Sequence, residues 1–195
     1  MLTTKGSATR SRIIEGAAAE IREHGIGATT LDDVLARTRT SKGQLFHYFP
    51  QGKEELLLAV AAHEADRVLA DQQPHLGDLT SRDAWHAWRD AVVDRYRRQG
   101  PRCPLAVLTA EIGRATPGTQ AVVTSLVQQW ERQVIDGIVA MQASGDFDVE
   151  VDPTRAGMAL VAGIQGGVAI MLATGDLGHL EAALDTGIAH LARRA

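Results

Sequence analysis

The stretch RTRTSKGQLFHYFPQGKEELLLAV, Arg37 to Val60, decides the fold. Ser41 followed three residues later by Gln44 is a capping box, so a helix opens there. Pro50 and Gly52 stop it after about eight residues. So short a helix cannot hold a core of its own. Leu45 and Phe49 share an inward face one turn apart, while Gln44, His47 and Tyr48 recur at i, i+3, i+4 on another side, edged by Lys42 and Phe46. One face grips the rest of the chain and the others are free. Lys53, Glu54 and Glu55 then begin an apolar helix, with the acids placed favourably in its first turn.

Upstream, Thr30 and Asp33 form a second capping box, opening a helix from Leu31 to about Thr38 with Leu31, Val34 and Leu35 inward. Before it, Ile14, Ala17, Ala18 and Ile21 make an apolar stripe on a helix from about Ala8 to Glu23, which His24 and Gly25 end. Two short helices joined by a tight break, following a longer one, have the outline of a helix-turn-helix. A short helix that presents amide, imidazole, phenol and ammonium groups can enter a major groove, where amides read adenine edges and cations meet guanine or phosphate. Thr29 and Thr30 at the start of the second helix, and Lys53 at the start of the fourth, stand where helix N-termini favour phosphate oxygens.

Downstream the helices lengthen. The fourth is expected from Lys53 to about Gln72, a fifth from Thr80 to about Arg98, and a sixth between Pro104 and Arg114. A long seventh keeps Val123, Leu126, Trp130, Val134, Ile138 and Met141 in steps of three or four. Asp152 caps an eighth with Pro153 at its first position, and a ninth runs from about Leu177 to Arg193. No repeats, low-complexity tracts or β-hairpin signals interrupt this pattern. The fold class is therefore all-α with about nine helices, divided into residues 1–52 and 53–195.

The 195 residues, 45% of them hydrophobic, suffice to bury a core. The net charge is −4, yet residues 1–53 carry eight Lys or Arg against five Asp or Glu, and the remainder twelve against nineteen. A mildly basic front on an acidic body suggests that only the front meets a polyanion. A single cysteine, Cys103, excludes an intramolecular disulfide and Cys-based zinc spacing, which fits a reducing cytoplasm. The N-terminus has no apolar region of signal-peptide length. Ala156 to Gly175 approaches the length of a membrane span, but it is rich in Gly and Ala, holds Gln165 and lacks flanking basic or aromatic residues. A helix buried on all sides is the preferred reading.

From Thr9 to Val60 the chain resembles the DNA-binding domain of the tetracycline repressor (TetR) family of bacterial transcription regulators. The resemblance rests on the two threonines before the second helix, the SKGxL opening of the third (Ser41, Lys42, Gly43), its HYF close and the Lys-Glu start of the fourth. The FPxGKEEL form, CPLAVLTAEIG and GIQGG are more faintly similar to the LmrA/YxaF-like branch. Helices eight and nine, apolar and rich in small residues, suit a dimer, since two copies would make a four-helix bundle; the resemblance implies that such a homodimer binds a pseudo-palindromic double-stranded DNA operator. It also implies a repressor released by a small-molecule ligand held in a cavity among helices four to eight. Two positions depart from the family pattern. Arg39 stands where Gly is usual in the turn, and is either strained or an added phosphate contact. Phe46 stands where Tyr is common, without that hydroxyl.

Each candidate has a plainer reading beside the functional one. Gln44 either reads a base or merely caps its own helix, and His47, Tyr48 and Lys42 are either DNA contacts or ordinary surface residues. Trp85, Trp88, Trp130, Met141, Met158 and Met171 either line a ligand cavity or form simple core. Cys103, Leu108 and Gln165 are further cavity candidates. His63 and Asp66 lack a metal-ligand pattern, and no metal or cofactor is expected. No P-loop, GxSxG, HExxH or dinucleotide glycine fingerprint marks an enzyme, and GIQGG reads as close helix packing. The main rival is a helical ligand-binding protein or enzyme whose front domain no longer reads DNA; a protein-interaction module is third.

Overall fold

A computed structural model describes residues 4–99 and 116–192. The expected sixth helix, with Cys103 and Leu108, lies outside them. The described residues form eight α-helices: α1 Thr4–His24, α2 Leu31–Thr38, α3 Lys42–Tyr48, α4 Lys53–Ala70, α5 Arg82–Gln99, α6 Pro117–Ser144, α7 Pro153–Thr174 and α8 Gly178–Leu191. A short 3-10 turn at His75–Gly77 interrupts the loop before α5. β-type pairing is limited, among the described residues, to one antiparallel bridge between Phe147 and Ala192. The predicted seventh, eighth and ninth helices are α6, α7 and α8.

The chain forms two compact units. One runs as far as Val68 and takes in α6 up to Thr124; the other holds residues from Leu69 onward and α6 from Ser125. In the first, α1 buries Ile13, Ile14, Ala17, Ala18 and Ile21, the stripe read from its sequence. Gly25 ends it at φ 81°, a conformation that costs glycine nothing. Val34 of α2, Leu45 in the middle of α3 and Phe49 at its C-cap join this small core, whereas Leu31 and Leu35 are only half-buried. Arg22 on α1 pairs at 2.7 Å with the buried Glu64 of α4, so charge as well as packing joins those helices. Arg37 binds Glu20 and Glu23 and fixes α2 across α1; these two carboxylates, Glu23 foremost, raise its pKa.

In the second unit the core is aromatic. Trp85 and Trp88 meet edge to face at 5.7 Å, and both indoles are fully buried with their N–H groups satisfied. Trp85 Nε1 donates to the Leu79 carbonyl at 3.1 Å and Trp88 Nε1 to Gln72 Oε1 at 3.0 Å. On α6, Leu126, Trp130, Val134, Ile138 and Met141 are buried as their spacing requires. Asp152 caps α7 by accepting from the N–H groups of Thr154 and Arg155.

The expectation that α7 is buried on all sides is corrected. Only 44% of its apolar stretch is covered within the chain, although its length and composition would suit a membrane span. Gly167 lies against α8, where a Cβ would fall 2.5 Å from Leu180 Cα. Ala159, Ala162, Gly166 and Ala169, with Met158 and Ile170, face outward. Periodicity distinguishes apolar from polar faces, but it does not say whether the cover comes from the same chain.

Candidate functional site

The helix-turn-helix is built from local hydrogen bonds. Thr30 Oγ1 accepts from the Asp33 N–H, and the Asp33 carboxylate accepts from both the backbone and the hydroxyl of Thr30, closing the predicted capping box. Those bonds, the hydroxyl's first, hold the Asp33 pKa below its ordinary value. At the other end of α2, Arg39 adopts φ 50° and ψ 44°, the left-handed conformation anticipated for a position where glycine is usual. Thr40 N–H bonds the Leu35 carbonyl at 3.2 Å, and the chain turns directly into α3.

On α3 the two faces separate as read. Leu45 and Phe49 are fully buried, and Lys42, Gly43, Gln44 and His47 are exposed. Tyr48 is half-buried, and its ring meets His47 edge to face at 4.9 Å. Arg10 of α1 stacks its guanidinium over the Phe49 ring at 5.3 Å. Ser41 and Gln44 form the reciprocal cap: Gln44 N–H donates to Ser41 Oγ, and Gln44 Oε1 accepts from Ser41 N–H at 3.0 Å. Half of the Gln44 amide is therefore occupied, leaving its NH2 group for a ligand. Gly43 has only Ser41 Oγ, at 4.0 Å, near the place of a Cβ. Among the described residues no packing demands glycine there.

Two expected phosphate anchors are otherwise employed. Thr29 is 4% exposed, and its hydroxyl donates to the Gly25 carbonyl at 2.8 Å. Lys53 Nζ donates to the carbonyls of Thr29, at 2.6 Å, and Ile26, at 3.2 Å, so the ammonium ties the α1–α2 loop to the start of α4. These contacts span 24 and 27 residues, and spacing along the sequence gave no signal of them. Thr30 and Arg39 remain exposed.

The cavity candidates of the second unit scatter. Trp88, Trp130 and Met141 are core, Gln165 is half-buried, and Met158 is 51% exposed on the open side of α7. Trp85 alone among them borders an open cleft, of about 320 Å³, between the first turns of α5 and the last turns of α8. Its other borders include Arg82, His86, Phe147, Asp185 and Ile188, none of which the sequence singled out. Among the described residues no cluster of His, Cys, Asp or Glu could hold a metal ion.

Comparison with known proteins agrees with this geometry. Residues 13–60 match the pattern of "Bacterial regulatory proteins, tetR family", and residues 82–186 that of "Tetracyclin repressor-like, C-terminal domain". An uncharacterised HTH-type transcriptional regulator of Mycobacterium tuberculosis is 33% identical over 110 residues, 53% of either chain, so the match spans about half the length of that relative. The uncharacterised HTH-type regulator YxaF of Bacillus subtilis is 20% identical over 90% of either chain, a weak agreement with the branch expected. Among solved structures, a TetR family regulator from Cytophaga hutchinsonii has the same fold, with a TM-score of 0.85, 19% identity and full coverage of both chains. The SmeT–triclosan complex superposes with a TM-score of 0.73, at 21% identity over 96% of this chain and 93% of that one.

Proposed function

The chain belongs to the TetR family of DNA-binding transcriptional regulators, and from that premise we propose that it is a cytoplasmic homodimeric repressor, released from a pseudo-palindromic operator by a small molecule. The observation that carries the DNA half is α3, whose inward anchors Leu45 and Phe49 leave Lys42, Gly43, Gln44 and His47 exposed on one short helix. In this reading residues 1–52 read DNA, and residues 53–195 bind the ligand and dimerise. His47 and the free amide NH2 of Gln44 address base edges, with Tyr48 beside them. Ser41, Lys42, Thr30 and Arg39 address the backbone. Gly43 gives the phosphates room. Thr29 and Lys53 act by shaping the loop that presents the α2 N-terminus, with one Lys53 ammonium proton left for a phosphate.

The open apolar face of α7 supports the dimer: a second copy laid on α7 and α8 would bury it in a four-helix bundle. Two-fold symmetry then demands an inverted repeat. Ligand release is a population shift, limited by how far the ligand prefers the non-binding conformation. SmeT, a neighbour in fold, is described in complex with triclosan, which supports a ligand role for the second unit.

Selection of bound duplexes from a random pool at physiological salt tests this reading. An inverted repeat should emerge, and Gln44→Ala or His47→Ala should blur particular bases in each half-site. Lys53→Ala should weaken all DNAs alike and flatten the salt dependence. No enrichment by the folded dimer, or only salt-sensitive nonspecific affinity, would favour a front domain that no longer reads DNA.

A further inference from the structure

Arg10 is a cation on an otherwise apolar stripe. It precedes the buried Ile13 and Ile14 of α1 by one turn, so the inward face that continues through Ala17 and Ile21 begins with a guanidinium. That group lies over the ring of Phe49, 5.3 Å from its centroid, and Phe49 is the C-cap of α3. Arg10, half-buried, is thereby held beside the end of α3 that carries His47 and Tyr48. Arg22 and Arg37 of the same unit are committed to carboxylates. Arg10 is not: among the described residues it has no ion pair and no hydrogen bond, so stacking orders the side chain while leaving its N–H donors for an acceptor outside the chain.

The other contacts to the DNA backbone cluster elsewhere. Thr30, Arg39, Ser41 and Lys42 lie at the starts of α2 and α3 or in the turn between them. Lys53 is engaged with the carbonyls of Ile26 and Thr29. A helix lying in a major groove has phosphates beyond both of its ends. A guanidinium suits one of them, because its planar fork matches two phosphate oxygens and its prior ordering on Phe49 lowers the entropy lost on binding.

We propose that Arg10 is a phosphate-positioning residue, which anchors the DNA backbone beyond the C-terminal end of α3 while Lys42 does so at the N-terminal end. The proposal rests on the DNA-reading role of α3 and adds α1 to the surface that meets the duplex.

The test is fluorescence anisotropy of the full-length protein on the selected duplex and on a random one, over a range of salt concentrations. Arg10→Met keeps an apolar cover on Phe49 and removes the charge, whereas Arg10→Lys keeps the charge. Arg12→Met is the control, since it removes a charge from an exposed position about 200° round the same helix. Arg10→Met should flatten the slope of log affinity against log salt by about 0.9 for each protomer on the duplex, on both DNAs and without changing which bases are preferred. Arg10→Lys should keep most of the wild-type slope, and Arg12→Met nearly all of it. Equal slopes for wild type and Arg10→Met would overturn the proposal. An equal loss in Arg12→Met would overturn it too, as a sign of bulk charge, and so would blurred base preference in Arg10→Met. A lower melting temperature with an unchanged slope would leave Arg10 only as a cover for Phe49 and a cation at the carbonyl end of α3. If the wild type enriches no sequence, the DNA-reading role fails, and the slope difference on random duplex still decides for or against Arg10.

Discussion

α3 and α7 each leave one face uncovered, and the two faces differ in kind. α3 has seven residues and exposes ammonium, amide and imidazole groups; α7 has 22 and exposes methyl groups and the bare backbone of Gly166. The residues of both faces are exposed within the single chain. A polar uncovered face fits a polyanion, to which its donors and cations are complementary. An apolar one of this length fits another helix, because contiguous exposed apolar surface is otherwise a liability. The means of support differ too. α3 depends on a capping box, a left-handed turn and two buried side chains, whereas α7 depends on close approach to its neighbours.

The strongest way to break the comparison is to charge the apolar face. Ala162→Arg on α7 should leave the chain folded and raise the dimer dissociation constant at least about thousandfold, since burying two unpaired guanidinium groups costs several kcal/mol. Sedimentation velocity of both proteins is the check: the proposed dimer requires wild type to be dimeric and the variant monomeric at the same concentration. Unchanged dimerisation would assign this face another role.

Next in size is a pair of substitutions one residue apart. A Cβ at position 167 would meet Leu180 Cα at 2.5 Å and N at 2.9 Å, backbone atoms that no rotamer can move aside. Gly167→Ala should therefore cost about 1–3 kcal/mol in chemical denaturation. At Gly166 nothing lies within 4 Å of an added Cβ. Gly166→Ala should not harm the single chain and, as a helix-interior replacement, should add about 0.5–1 kcal/mol. Any loss it causes must then come from the partner copy, which would locate the dimer contact at this turn of α7.

This pair also indicates what the sequence could disclose. Local chemistry was legible: the bounds of α2, both capping boxes, the Asp152 cap and the buried stripe of α6 all follow from residues within a few positions of one another. GIQGG was legible as close packing at Gly167, but nothing in the sequence separates Gly167 from Gly166, whose surroundings differ through the direction of α8. The bonds from Lys53 to the α1–α2 loop and the cleft formed by residues as distant as Arg82 and Ile188 were hidden for the same reason. They exist only after distant segments meet.

Support of α3 by its turn can be sharpened at Arg39. Replacement by Gly relieves a left-handed conformation that costs an L-residue about 1–2 kcal/mol, and returns part of that as unfolded-chain entropy. Arg39→Gly should thus stabilise by about 0.5–1 kcal/mol in denaturant titration. If DNA affinity falls while stability rises, the arginine is kept for phosphate contact. If both rise, it serves neither purpose.

The smallest effect concerns the start of α2, where Asp33 closes the cap beside Thr29 and Thr30. Its pKa is lowered because the Thr30 hydroxyl and N–H both donate to the ionised carboxylate. A carboxylate with a lowered folded pKa contributes stability that is fully present above its unfolded value and is lost as pH falls through the folded one. The advantage is therefore present at neutral pH and disappears on the acid side of 3.8, the ordinary aspartate value. Many other carboxylates titrate in that range, so the melting curve of the wild type alone says little. The difference between wild type and Asp33→Asn isolates the charge, because asparagine keeps the shape of the cap and does not titrate. That difference should be steady from about pH 7 to 5 and should shrink as pH is lowered towards about 3. The group is exposed, so the effect will be small and should weaken further in salt. A difference that stays constant across the whole range would mean that the hydrogen-bond geometry, and not the negative charge at the helix N-terminus, holds the first turn of α2 in place.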